Sequence, residues 1–139
     1  MLVLDIGGVS MLAEPSSRAA AVITVFRREE LWPPLVPSIV LVECLSGRPD
    51  RDARTNQFLK TCDIQTVLGE KLARRAAYLR GVARRGSAVG AVVVAAAETG
   101  GTVCGGDVND CDHWLRTPMT FSSSVVELVQ GRRAAVRSD

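Results

Sequence analysis

Residues 2–9 of the chain read LVLDIGGV, and this stretch decides the expected fold. Its first three side chains are apolar without alternation, which is typical of a strand buried on both faces in a parallel sheet. Asp5 follows directly, and Gly7 and Gly8 then permit a sharp exit and a close approach of another group. Because open α/β sheets place their ligand crevice at the carboxyl ends of the strands, Asp5 is expected to line such a crevice.

The composition fits one globular domain with an aliphatic core. The chain has 139 residues, of which 47% are hydrophobic and 23% charged, and aromatic residues make up only 4%, so Val, Leu, Ile and Ala must fill the core. The net charge of +2 is too small to indicate a nucleic-acid-binding protein by itself. We expect one domain over residues 1–129, followed by a basic tail at 130–139.

Strand-like and helix-like segments alternate along this domain. Helix patterns at 69–85 and 88–98 differ, since Leu72, Ala76, Leu79 and Val82 form one apolar side in the first, whereas the second is apolar nearly all round. The alternation predicts an α/β fold, a three-layer α/β/α domain with a central, mainly parallel four- to five-stranded sheet. Strands are expected at 2–4, 35–37, 62–67, 102–104 and 123–129, and other helices at 18–31, 38–45 and from about 50 to 61.

A second apolar strand also ends on glycines and an acid. Asp107 follows residues 102–106, TVCGG, much as Asp5 follows the first strand, and Asp110 comes shortly after. Glu43 lies within an apolar helical run, where its carboxylate must reach solvent, a partner or a metal. Clustered carboxylates repel, and oxygen ligands suit Mg²⁺ or Mn²⁺. The alternative is that both aspartates are turn or cap residues and that Glu43 only reaches solvent.

Basic residues concentrate away from these acids. Such a surface is compatible with binding a polyanion, although a solvated helix face is an equally good interpretation. The arginines concerned are Arg74, Arg75, Arg80, Arg84 and Arg85, with Arg132, Arg133 and Arg137 in the tail.

The four cysteines, at 44, 62, 104 and 111, form no C-x-x-C pair, and a single His cannot complete a zinc set with them. Cys44 and Cys104 lie in apolar runs and are expected to be buried thiols. The apolar start has no basic segment and carries Asp5 early, so it is not expected to be a signal peptide. No run has the length of a membrane span, and we expect a cytoplasmic protein without a membrane partner.

Four blocks of the sequence together resemble a PIN domain, and most closely the VapC-type toxins of bacterial type II toxin–antitoxin systems. The resemblance covers about residues 1–129. Its blocks are LVLDIGG at 2–8, VPSIVLVE at 36–43, AVGAVVVA at 88–95 and TVCGGDVND at 102–110.

This resemblance implies a metal-dependent endoribonuclease that uses Mg²⁺ or Mn²⁺, forms a homodimer and is inhibited by a cognate VapB-type antitoxin. Carried over by position, Asp5, Glu43 and Asp107 match the family's catalytic, metal-binding acids, and Asp110 matches a frequent additional ligand. The RNA substrate would be guided by Arg74, Arg75, Arg84 and Arg85. Two amphipathic helices between residues 18 and 59 are candidates for clamping the antitoxin, although core packing is the alternative use of both.

The sequence departs from the family pattern at Gly90, where the family usually carries an Asp at the start of the apolar helix. The family also commonly has Thr or Ser where this chain has Gly105 and Gly106. Three accounts of Gly90 stay open: a weakened enzyme, an inactive relative kept for binding, or a substitution that lowers toxicity. The alternative function is therefore a non-catalytic module that retains antitoxin or RNA binding. Neither Gly7-Gly8 nor Gly105-Gly106 matches the sequence pattern of a phosphate-binding loop.

Overall fold

A computed structural model describes residues 1–84 and 86–105, over which four strands and six helices alternate. The expected strand at 123–129 and the tail at 130–139 lie outside the described residues. The strands are β1 (Leu2–Leu4), β2 (Leu35–Pro37), β3 (Asp63–Gln65) and β4 (Thr102–Cys104), and the helices are α1 (Ile6–Ala13), α2 (Ser17–Arg28), α3 (Ser38–Cys44), α4 (Pro49–Leu59), α5 (Glu70–Ala83) and α6 (Ala88–Ala97).

The four strands form one parallel sheet in the order β3-β2-β1-β4. Strand β1 pairs with β4 from Leu2 opposite Thr102 to Leu4 opposite Cys104, and it pairs with β2 at Val3 opposite Leu35. The prediction of an α/β domain with a parallel central sheet is confirmed.

The order in which the chain forms the strands determines on which face of the sheet each helix lies. The chain moves one way from β1 through β2 to β3, and then crosses back past both to reach β4 on the far side of β1. Since crossovers between parallel strands are right-handed, opposite directions of travel put their helices on opposite faces. Helices α1 to α4 therefore cover one face and the α5–α6 pair covers the other, which gives the three layers.

The aliphatic core follows from the apolar runs. All three residues of β1 are fully buried, and so are Val36 of β2 and Val40 of α3. Complete burial of each such side chain contributes about 1.5–3 kcal/mol to folding before chain entropy is subtracted. Helix α6 is buried continuously from Ala91 to Ala97, as its apolar sequence predicts, because α5 covers the side that faces away from the sheet.

Local predictions differ from the structure mainly at helix surfaces and ends. The Ser16 hydroxyl caps α2, accepting from the Ala19 N–H at 3.1 Å. Helix α3 has Pro37 at its cap position and no side-chain cap. The prediction that Val82 faces inward is wrong, since its side chain lies on the outer side of α5 and is 49% exposed. Among the described helices, none has the length and apolarity needed to cross a membrane.

Candidate functional site

The strand order identifies one position in the sheet where a ligand crevice is expected. The chain reverses its direction of travel between β1 and β4, and open α/β sheets bind ligands outside the carboxyl ends of the strands at such a switch point. Asp5 follows β1 at this point, and Gly105 follows β4. The site that residues 2–9 predict thus lies where the topology opens the sheet.

Asp5 is held by the first turn of α1. It is the residue that caps this helix, and its Oδ1 accepts a hydrogen bond from the Gly8 N–H at 2.7 Å. The Asp5 N–H in turn donates to the Cys104 carbonyl oxygen at 3.3 Å, so backbone contact with β4 fixes this residue from the other side. The structure therefore gives Asp5 the capping role that the sequence left open, at the same edge where a ligand would bind. The two roles are compatible because a carboxylate has two oxygens and about four acceptor positions.

Gly8 makes the approach of α1 to β4 possible. A Cβ atom at this position would overlap the Cys104 carbonyl oxygen and come within 3.1 Å of its carbonyl carbon. Both are backbone atoms, which cannot move aside as a flexible side chain would. The glycine at position 8 is thus required by packing, as the opening stretch indicates, and the close approach it permits holds the ends of β1 and β4 together.

Glu43 lies near the end of α3, the helix that directly follows β2. Its side chain is exposed and forms no hydrogen bond or ion pair with the described part of the chain. The Glu43 carboxylate is therefore accessible to solvent. The preceding residue, Val42, is 78% exposed, so the outer side of α3 is apolar as well as acidic.

The predicted acidic group is only partly within the described residues. Asp107 and Asp110 lie outside them, and within residues 1–84 and 86–105 no three His, Cys, Asp or Glu side chains lie close enough to hold a metal ion. Asp5 and Glu43 each offer carboxylate oxygens, the type of ligand that Mg²⁺ prefers. Asp5 directly follows β1, whereas Glu43 lies six residues after the end of β2.

Gly90 occupies the first turn of α6. Its N–H donates to the Ser87 hydroxyl at 2.9 Å, which caps the helix. The last residue of α6, Ala97, accepts a hydrogen bond from the Gly101 N–H, and the Thr102 N–H donates to the Met1 carbonyl oxygen. Because Thr102 and Leu2 begin β4 and β1, this end of α6 lies at the amino edge of the sheet. Since α6 is about 15 Å long and packs over three short strands, its first turn points toward the carboxyl edge. Gly90 therefore lies at the end of α6 that faces the candidate site.

The arginines of α5 have different surroundings. Arg75 forms a two-pronged pair with Glu98, with nitrogen–oxygen distances of 2.6 and 2.7 Å, and this pair joins α5 to the end of α6. This hydrogen bonding raises the pKa of Arg75. Arg74 pairs with Glu70 at 2.7 Å on an exposed surface. Arg84 ends α5 with a left-handed backbone, and Arg85 lies outside the described residues.

Asp52 has a structural role that the sequence did not reveal. Its carboxylate accepts from the Ser46 N–H at 3.0 Å, the Ser46 hydroxyl at 2.8 Å and the Arg48 N–H at 3.1 Å. These bonds, led by the one from the Ser46 backbone, lower the pKa of Asp52. The carboxylate thereby fixes the turn between α3, which carries Glu43, and α4. A serine six residues before an acid, with Pro49 starting the helix between them, was the available signal.

The three described cysteines are free thiols and half-buried, so the expectation of buried thiols at Cys44 and Cys104 holds only in part. Burial raises the pKa of the Cys62 thiol to about 11 and raises that of Cys44 as well. Thiols shifted in this direction stay protonated near neutral pH and are poor nucleophiles. Cys44 and Cys62 are therefore packing residues.

Comparison with known proteins adds no assignment. The chain matches no family model, and neither curated proteins nor solved structures gave a significant match.

Proposed function

We propose that the chain is a metal-dependent endoribonuclease of the PIN-domain type, acting as the toxin of a VapBC-type pair. The observation that supports this most is the strand order, because it brings the carboxyl ends of β1 and β4 together. Asp5 follows the first of these strands in sequence, and Asp107 follows the second by three residues. The order of the four sequence blocks supports the same proposal.

In this proposal Asp5, Glu43 and Asp107 hold the ion, with Asp110 as an additional ligand. A bound Mg²⁺ or Mn²⁺ supplies an activated water and polarises the scissile phosphate. The protein's own contribution is orientation: the Gly8 N–H holds the Asp5 carboxylate, and the Asp52 turn holds the end of α3 that carries Glu43. Arg74, Arg75, Arg84 and Arg85 are proposed to contact the RNA backbone, with a salt-dependent contribution.

The direct test compares cleavage of labelled structured RNAs by the wild type, Asp5→Asn and Glu43→Gln in Mn²⁺. Asparagine retains the oxygen that accepts from Gly8 but removes the charge, so the fold should persist while cleavage falls at least about a hundredfold. Asp63→Asn is the matched control, because Asp63 is an exposed acid at the amino end of β3, on the opposite edge of the sheet. Equal activity in all four proteins would contradict the proposal.

Gly90 gives a second, opposite test. An Asp at this position of α6 would stand in the first turn, where a negative charge is favourable, and would return the acid that the family usually has. Gly90→Asp is expected to raise Mn²⁺-dependent cleavage, whereas Gly90→Asn, of nearly the same shape, is not. A gain in both variants, or in neither, would argue against a missing metal ligand at this position.

The alternative proposal is a non-catalytic module that binds an antitoxin or RNA. Gly90 favours it, because the acid usual in the family is missing at the end of α6 that faces the site. Thermal melting with added Mn²⁺ separates the two proposals, since a bound ion stabilises the folded state. A melting temperature that Mn²⁺ does not change, together with tight antitoxin binding, would support the binding module.

The proposed partners are an RNA substrate, a VapB-type antitoxin and a second copy of the chain in a homodimer, in the cytoplasm. Sedimentation of the chain alone and with the product of a neighbouring short reading frame tests the last two partners. A monomer that does not bind this product would remove the toxin–antitoxin part of the proposal and leave the nuclease part to the cleavage assay.

A further inference from the structure

Tyr78 is the single tyrosine of the chain, and it points outward from α5 with 61% of its surface exposed. Core packing does not require it there, since Ala76 and Leu79 bury the opposite side of the helix. At 3.6 residues per turn, Arg74, Arg75, Tyr78 and Val82 fall within about a third of the helix circumference. We call these four residues the Tyr78 stripe.

The ring of Tyr78 is held from one side. The Arg75 guanidinium lies 5.1 Å from the ring centre, and the same guanidinium is fixed by both oxygens of Glu98. The Glu98 side chain is only 17% exposed, so this anchor is firmer than an ordinary surface ion pair. A cation above an aromatic ring is attracted to the face of the ring. Because Glu98 fixes Arg75, and Arg75 contacts the ring of Tyr78, the ring has less rotational freedom before a ligand binds.

The charge around the stripe favours a polyanion. Helix α5, its cap residue Arg84 and Glu98 together carry five cations and two carboxylates (Glu70 and Glu98). Lys71, Arg74 and Arg75 lie on the same side of α5 as Tyr78, whereas Arg80 lies on another side of the helix. The Arg74–Glu70 pair is nearly 80% exposed on both sides, so it contributes little and a phosphate can replace the carboxylate at small cost.

We propose that Tyr78 is a stacking platform for an unpaired base of single-stranded RNA, with Arg74 and its neighbouring cations on the phosphates. This deepens the proposed function and rests on it for the choice of RNA. Exposed aromatic rings next to basic side chains bind single strands by stacking, which is worth about 1–3 kcal/mol per base. An acidic protein would be attracted by the same charge, but it has no need of a planar ring.

The test measures binding of a short fluorescent single-stranded RNA by anisotropy in EDTA, so that metal-dependent cleavage does not interfere. Tyr78→Phe should bind like the wild type, and Tyr78→Leu should bind about tenfold or more weakly, because leucine keeps apolar area but cannot stack. Val67→Ala, at another exposed apolar position (71% exposed), is the control and should not change binding. The salt dependence should be the same for Tyr78→Leu and the wild type, whereas Arg74→Gln should reduce its slope by about 0.7.

Equal binding by the leucine and phenylalanine variants would overturn the proposal and would indicate a docking surface for a protein. No binding by the wild type would overturn it as well. The proposed function fails separately, through the Asp5→Asn cleavage comparison. Loss of binding in Tyr78→Leu with no cleavage by any variant would retain the stacking site and remove the nuclease.

Discussion

The corner between β1 and α1 differs from the outer side of α5 both in the packing around its glycine and in the surroundings of its charged side chains. At the corner, Gly8 faces the backbone of Cys104, and no side chain fits between them. On α5, a Cβ atom added at Gly81 would meet nothing within 4 Å. The acid of the corner, Asp5, is fixed by backbone groups, whereas the arginines of α5 reach outward to acids or to solvent.

This contrast separates two kinds of constraint. At the corner, packing against β4 requires the glycine at position 8, and a change of that residue should alter the fold and the site together. On α5, packing dictates only the buried side, so the outer residues are free to serve binding. Substitutions at the two places should therefore differ in the sign of their effect on stability as well as in its size.

The largest effect is expected for Gly8→Ala. Its methyl group would overlap the Cys104 carbonyl, and relief requires α1 or the end of β4 to move, at a cost of about 3 kcal/mol or more. Urea unfolding of the variant measures this loss. Gly69→Ala is the control, because a Cβ atom there has open space. If Gly8→Ala were as stable as Gly69→Ala, the close approach of the corner to β4 would be wrong.

The sequence predicted the corner better than it predicted the helix surfaces. The run of three apolar residues, one acid and two glycines indicated a buried strand, its end and a close contact, and the structure has all three. A buried strand constrains each of its residues, so the pattern is unambiguous. The predicted inward orientation of Val82 was wrong. A valine on a helix fits either the buried or the exposed side, and only the tertiary packing decides which side it occupies.

The place of Asp5 at the end of β1 was predictable from the sequence, whereas the contacts around it were not. Asp5 and the end of β4 depend on strand order, which right-handed connections restrict strongly. The Asp52 carboxylate bonds to Ser46 and Arg48 across a turn, and Arg75 pairs with Glu98, which lies 23 positions later at the end of another helix. Ser46 and Pro49 before Asp52 were a local signal of that turn, whereas the contact between Arg75 and Glu98 depends on how α5 and α6 meet in space and has no signal in a single sequence.

An intermediate effect on stability is expected for substitution of Asp52, which is buried and whose charged carboxylate accepts three hydrogen bonds. Its pKa is lowered in the folded state, so the stability that it contributes is present above the unfolded pKa near 3.9 and is lost as pH falls through the lower folded value. Wild-type stability should therefore fall from about pH 5 downward more steeply than that of Asp52→Asn. Urea unfolding at a series of pH values gives both slopes.

Asp50→Asn is the matched control for this measurement, because Asp50 lies two positions earlier and its side chain is 72% exposed. It should retain the wild-type acid slope. At neutral pH, Asp52→Asn should already be less stable than Asp50→Asn, since an asparagine amide cannot accept all three hydrogen bonds of the turn. Identical pH slopes for all three proteins would show that the turn does not depend on the Asp52 charge.

The smallest effect, and the only stabilising one, is expected for Gly81→Ala on α5. Alanine is favoured over glycine inside a helix by about 0.5–1 kcal/mol, and at this exposed position its methyl group meets no other atom within 4 Å. The melting temperature should rise by a few degrees. RNA binding should stay unchanged, since the methyl group lies beside the Tyr78 stripe and adds no charge. A loss of stability would mean that α5 is not helical at this residue, and it would contradict the conclusion that packing leaves the outer side of α5 unconstrained.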